Sequence, residues 1–166
     1  HSAFGLPLFV SAFRALSDKK LADLKDKFSN LRVVIIDEMS MVTSDMLYML
    51  DARLQQIKGE KEKDFGGVAL FLFGDLMQLR PIGGTYIFDE PKRSDFQLCY
   101  HSFSLWDHCT VVNLTHNHRQ GEDKSYANLL NRARIGTMTD EDVAVLETRV
   151  RSRSDPEVQN ITYIIP

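Results

Sequence analysis

Two unbroken apolar runs, Val33-Val34-Ile35-Ile36 and Val68-Ala69-Leu70-Phe71-Leu72-Phe73, interrupt a chain in which apolar residues otherwise recur every three or four positions. Short continuous runs of this kind are the pattern of strands buried on both faces of a parallel sheet. Each run ends abruptly in polar residues, Asp37-Glu38 after the first and Gly74-Asp75 after the second. Between them Met46, Leu47, Leu50, Leu54 and Ile57 keep helical spacing, with Thr43 or Ser44 as the cap and Gly59 as the stop. A shorter amphipathic helix is expected ahead of the first strand, opening at Ser17-Asp18 and carrying Leu21, Leu24 and Phe28. Residues 59–67 are charged and flanked by glycines, which predicts a solvated loop; residues 80–93 predict a long irregular one. Val111-Val112-Asn113-Leu114 is a third, shorter strand candidate. Two more helices are expected, over 125–135 with Gly136 as its stop, and over 139–150 behind the capping-box pattern Thr139-x-x-Asp142. Residues 149–157 are polar and read as a linker, before a last apolar run over 161–166 that reads as a strand.

Strands alternating with helices predict an α/β domain with a mostly parallel sheet, and such sheets bind ligands at the C-terminal ends of their strands. The polar residues richest in chemistry stand at those ends: Asp37-Glu38, Asp75 and, past the third run, Arg119. Composition narrows the class further. At 166 residues, 43% apolar and 26% charged, the chain has the make-up of a globular protein with one real core. Twenty basic against twenty-three acidic residues leave a net charge of −3, which argues against a basic nucleic-acid-binding module but not against a motor whose contacts lie in a cleft. Two cysteines imply no disulfide framework, and no apolar run approaches the ~20 residues needed to span a bilayer. The start at His1 without Met, and the stop inside an apolar run, lead to the expectation that this is an internal piece of a longer protein.

An apolar strand ending in Asp-Glu is the Walker B arrangement of nucleotide-hydrolysing enzymes. There the Asp holds magnesium, usually through its water, and the Glu orients and polarises the attacking water. In Leu72-Phe73-Gly74-Asp75-Leu76-Met77-Gln78 a buried strand breaks into Gly-Asp, and a neutral amide follows three residues later. A Gln so placed can hydrogen-bond a phosphate oxygen or the attacking water without adding charge. In Asn113-Leu114-Thr115-His116-Asn117-His118-Arg119-Gln120 an Arg just past a strand can reach a phosphate bidentately. Each element alone is a common accident; the three in this order are not.

Together they resemble the Pif and RecD-like branch of superfamily-one DNA helicases. Residues 35–42 look like that family's motif II, residues 73–81 like its motif III and residues 114–120 like its motif IV. His1-Ser2, Phe4 and Leu6 are similar to the end of motif Ia, and residues 126–136 to the segment after motif IV. Arg80 departs from the family, which often has a second proline there. The resemblance implies a RecA-like P-loop motor with ATP and Mg2+ as cofactors, moving 5′ to 3′ on single-stranded DNA and opening forks or duplex. It implies Asp37 as the magnesium ligand, Glu38 as the catalytic carboxylate, Gln78 as a γ-phosphate sensor, Arg119 as an arginine finger, and His1 and Ser2 near DNA. All four main positions are thus expected around the nucleotide. Residues 1–150 are expected to be part of the first motor domain, and 151–166 a linker leading into the second. No Gly in the chain is followed by Lys, so a Gly-x-x-x-x-Gly-Lys-Ser/Thr phosphate loop is absent; in the family it precedes motif Ia. The piece alone is therefore expected to be inactive, and the parent an intracellular helicase, nuclear if eukaryotic, with roles in repair, recombination or telomere maintenance. Its oligomeric state is not legible.

Three other readings compete, one of them another P-loop ATPase family that shares only Asp37-Glu38, against which the motif from Gly74 to Pro81 argues. A degenerate relic of a mobile element would act, if at all, as a non-catalytic nucleic-acid-binding or scaffold module. Cys99-x-His101, His108-Cys109 and His116-x-His118 hold metal-ligand residue types, but not the Cys-x-x-Cys or His-x-x-x-His spacing of structural zinc. Among the aromatics, Phe71 and Phe73 read as core, whereas Phe88 and Phe96 in the long loop are equally open to packing or base stacking.

Overall fold

The computed structural model describes residues 2–6, 16–92, 104–116, 118, 123–152 and 155–156, which belong to two compact units, His1–Val111 and Val112–Pro166. In the first unit helix α1 (Asp18–Lys27) leads to strand β1 (Val33–Ile36); helix α2 (Ser44–Lys58) then crosses over to strand β2 (Ala69–Leu72). The strands pair in parallel, with Val33 opposite Ala69 and Ile36 opposite Leu72. A parallel pair cannot be closed by a tight turn, so the helical crossover is what the topology requires.

Thr43 is the residue that caps α2, its Oγ1 accepting the Met46 N–H at 3.1 Å. Ser44 is the first helical residue instead, and its hydroxyl lies 2.6 Å from Thr85 Oγ1. At the far end Gly59 takes a left-handed φ of 73°, and its N–H donates to Gln55 O at 2.8 Å, stopping the helix where the sequence placed the stop. Lys58 in the last turn donates to the carbonyls of Ser29 and Leu31, which ties the end of α2 to the chain entering β1.

Leu47, Tyr48, Leu50 and Leu54 of α2 form a core with Val34, Phe65, Val68, Ile87 and Leu105, and Ile36, Leu70 and Leu72 pack against it. The strands were expected to be buried on both faces, with Phe71 and Phe73 in the core. That expectation is corrected: Val33, Ile35, Phe71 and Phe73 are between 44% and 66% exposed. Side chains alternate across a sheet, and α2 covers one face, so the alternate positions look outward. A continuous apolar run reports that both faces are apolar; it does not say that this chain covers both.

Residues 59–67 are only partly the solvated loop expected. Phe65 and Gly66 are buried, and the Phe65 N–H donates at 2.5 Å to Oδ1 of Asp51, a fully buried carboxylate on α2. Gln55 donates to the other oxygen at 2.9 Å. The long irregular loop is present, but it is pinned: Pro81, Ile87 and Pro91 are buried, and Gly84 presses on the Thr43 side chain.

In the second unit residues 112–116 are exposed and make no ladder. Val111, Val112 and Leu114 are 68%, 79% and 87% exposed, so the third strand candidate is corrected to exposed chain. Apolar β-branched residues make a strand only where a neighbouring backbone accepts their hydrogen bonds. Helix α3 (Lys124–Ile135) starts behind Asp123, whose carboxylate accepts the Tyr126 N–H, and stops at Gly136. Helix α4 (Asp140–Glu147) opens with the expected capping box between Thr139 and Asp142 and ends three residues before the predicted limit. Thr148 explains the early end by donating its hydroxyl back to Val145 O at 2.7 Å. Asp142 also clasps α3: Arg132 Nε and Nη2 donate to its two oxygens at 2.6 and 2.5 Å. That fork and the Thr139 N–H hold the Asp142 carboxyl far below the usual carboxylate range. The terminal strand over 161–166 lies outside the described residues. No helix among the described residues is long and apolar enough to cross a membrane.

Candidate functional site

The C-terminal ends of β1 and β2 are zipped together one step beyond the sheet. Phe73 N–H donates to Ile36 O at 2.8 Å, and Met39 N–H donates back to Phe73 O at 2.9 Å. Between those two bonds the first chain must turn, and it does so at Glu38, which holds a left-handed φ of 54° and ψ of 48°. For a residue with a Cβ that conformation costs about 1–2 kcal/mol. The Asp37 carboxylate supports it locally, accepting the Glu38 N–H at 2.9 Å. Opposite, Gly74 lies so close that a Cβ there would sit 2.8 Å from Met39 N, at a φ of +149°. Glycine is therefore what lets the two strand ends touch.

Past Gly74 the chain makes a turn organised by Asp75. Its Oδ1 accepts the Met77 N–H at 3.0 Å, its main-chain carbonyl accepts the Gln78 N–H at 3.0 Å, and its Oδ2 lies 3.5 Å from Gln78 Nε2. Gln78 is thus held with its amide nitrogen toward Asp75, on the rim of a shallow depression lined also by Met77, Leu79, Arg80 and Tyr86. The fold brings Asp37, Glu38 and Gln78 to one end of one strand pair, all three exposed. Among the described residues no ion pair joins a cation to Asp37 or Glu38. Hard, solvent-facing carboxylate oxygens of this kind suit a magnesium ion that keeps most of its waters.

Arg119 and His1 lie outside the described residues, and Ser2 begins a 3-10 turn, Ser2–Phe4. Of the metal-ligand residue types, Cys99 and His101 also lie outside. His108 Nδ1 is 2.6 Å from Asp64 Oδ2, and the half-buried Cys109 thiol donates to Leu105 O at 3.7 Å. Burial and the nearby Asp64 charge push that thiol's pKa up. The His116 and His118 rings lie 4.1 Å apart. Gly74 and Asp75 are the residues whose part in the site the linear pattern understated. The Asp two residues ahead of the N–H it accepts is an Asx turn, a signal that was available; the Gly74–Met39 contact was not.

Residues 1–144 match the model of the PIF1-like helicase family. The chain belongs to that family. A Trypanosoma brucei protein named ATP-dependent DNA helicase PIF7 is 34% identical over 119 residues, covering 70% of this chain and 11% of its own length. The human ATP-dependent DNA helicase PIF1 is 34% identical over 114 residues, 68% of this chain and 16% of that one. Among solved structures, a Bacteroides Pif1 helicase in complex with ADP-AlF3 and single-stranded DNA is 29% identical with a TM-score of 0.64, covering 93% of this chain and 37% of the other. The Candida albicans Pif1 helicase is 26% identical with a TM-score of 0.60, over 84% and 30%. The chain thus spans about a sixth or less of these curated relatives' length and about a third of the solved ones. The family match and these neighbours bear out the expected fold class, a partial RecA-like α/β domain, and the family implies nucleotide binding.

Proposed function

We propose that this chain is a segment of an ATP-dependent DNA helicase, carrying the water-activating and phosphate-sensing half of the nucleotide site. The observation that carries the reading is the pairing of two adjacent exposed carboxylates after β1 with the Gln78 turn after β2, through the Met39–Phe73 hydrogen bond and the Gly74 contact. In this reading Asp37 holds magnesium through water, and the ion neutralises charge on the phosphates when bound. Glu38, swung out by its left-handed backbone, orients and polarises the attacking water. Gln78 reads the γ-phosphate through an amide that adds no charge. Arg119 reaches the phosphate as a bidentate donor, and His1 and Ser2 lie near DNA. Residues 1–150 belong to the first motor domain and 151–166 lead to the second. The substrate is single-stranded DNA and the fork it borders, inside the cell.

No Gly-Lys pair occurs in these 166 residues, so the phosphate-cradling loop is not among them and hydrolysis requires a longer polypeptide. The test is a polypeptide that contains both. Glu38→Gln should lower DNA-stimulated ATP hydrolysis by roughly a hundred-fold or more, the usual scale for loss of a general base, while nucleotide still binds. Undiminished hydrolysis would remove Glu38 from its role. No hydrolysis by the unsubstituted polypeptide would favour the non-catalytic relic.

A further inference from the structure

The exposed chain that opens the second unit carries two histidines that the site described above does not use. The His116 and His118 rings lie 4.1 Å apart, centroid to centroid, and 37° from parallel. Residues two apart in extended chain project to the same side, and that separation places both imidazoles on one side here. Both residues are exposed. Among the described residues neither ring has a hydrogen bond or an ion pair, whereas His108 is engaged by Asp64 at 2.6 Å. The contact these two rings make is with each other, so their nitrogens stay available to a ligand from solution.

Neutral imidazole is a ligand for zinc, copper and nickel, and a poor one for magnesium or calcium, which take oxygen. Zinc holds an imidazole nitrogen at about 2.0–2.1 Å, so two rings on one ion stand with their centres roughly 4.5–5 Å apart. The observed 4.1 Å falls short of that by less than about 1 Å, which rotation of two exposed side chains supplies without disturbing any core. Among the described residues no third His, Cys, Asp or Glu joins the pair, so water fills the remaining positions of the ion. Such a site is open and exchangeable, unlike the closed four-ligand sites that hold folds together. The Cys and His spacing that speaks against structural zinc therefore does not speak against it.

We propose that His116 and His118 form a two-imidazole chelate for a divalent transition-metal ion of the zinc, copper and nickel class. Copper binds it most tightly, as the general order of divalent affinities dictates. The site itself does not depend on the helicase reading. One consequence does: His118 directly precedes Arg119, so an ion held here restrains the chain entering the residue which that reading assigns to the phosphate.

The experiment is a titration of the full chain, carrying no added histidine tag, with Zn2+ by calorimetry and with Cu2+ by electron paramagnetic resonance. One Zn2+ per chain is expected, and a copper spectrum that shows nitrogen ligands. His116→Gln and His118→Gln should each weaken zinc on the order of ten-fold or more, because a lone imidazole has lost the high effective concentration of its partner. His108→Gln should leave the affinity unchanged. The double variant His118→Gln with Asn117→His keeps the number of imidazoles but turns the second to the other side, and should stay as weak as His118→Gln. Circular dichroism melts of the metal-free variants should match the unsubstituted chain, since both side chains are exposed. Absence of zinc binding up to about millimolar metal overturns the proposal, as that is the weakest affinity a chelate of this kind would have. Binding that survives either single substitution places the ion elsewhere and overturns it too, as does full recovery in the double variant, which would make the histidines independent ligands. None of these outcomes touches the role of Glu38, which the hydrolysis test decides.

Discussion

Replacing Gly74 by alanine tests whether the contact between the two strand ends is as tight as the geometry has it. Two costs add. A residue with a Cβ at a φ of +149° enters a region that is essentially glycine's alone, about 1–3 kcal/mol. The new Cβ would then lie 2.8 Å from Met39 N and 3.1 Å from Met39 Cγ, and the nearer atom is backbone, so the strand end must shift. The shift breaks the Met39–Phe73 hydrogen bond, which contributes about 1 kcal/mol net. The sum is roughly 2–4 kcal/mol. Gly59→Ala is the control, because Gly59 also has positive φ, +73°, but nothing within 4 Å of the new Cβ; its loss should be about 1–2 kcal/mol. Urea melts of both variants give the difference, and amide exchange gives the place: the Met39 N–H should exchange faster in Gly74→Ala only. Equal losses in the two variants, or unchanged exchange at Met39, would refute the close approach and with it the argument that glycine holds Glu38 beside the Gln78 turn.

Asp51→Ala should cost about 1–3 kcal/mol in the same urea assay, the penalty of a buried donor left without its acceptor, here the Phe65 N–H. A neutral result would return residues 59–67 to the solvated loop of the sequence reading. Asp142 gives a pH dependence whose sign is fixed: its folded carboxyl is depressed by Arg132 and Thr139, so the unfolded chain binds the extra proton. Its contribution is fully present above the ordinary carboxylate value near 3.8 and is lost as pH falls below that toward the folded value. Urea midpoints at pH 6 and pH 3 should therefore lie further apart in the native chain than in Asp142→Asn, and an equal gap in both would show that the clasp carries no such linkage.

The parts of this protein that local chemistry decides were legible in its residues. Thr43, Gly59, Thr139 and Gly136 begin and end helices because capping and left-handed backbone are satisfied within a few residues of chain. The two strands were legible for the same reason, as was the position of Asp37 and Glu38 just past β1, since the end of a strand is also the end of its apolar run. Loop 59–67 was misread because its anchor, Asp51, lies on the helix before it, and a pairing across fourteen residues leaves no periodicity behind.

Sequence alone therefore determined which residues could do chemistry: Asp37, Glu38 and Gln78 stand at predicted strand ends whatever the packing. Only the tertiary structure decided how they meet. Glu38 turns where Phe73 O captures Met39 N–H, the strand ends touch because Gly74 has no side chain, and Tyr86 comes to line the same shallow depression as Gln78. It decided equally that Val33, Ile35, Phe71 and Phe73 look outward and that residues 111–114 form no strand. Hydrophobicity says that a residue favours burial; whether it is buried depends on what lies opposite, and that is a property of the fold.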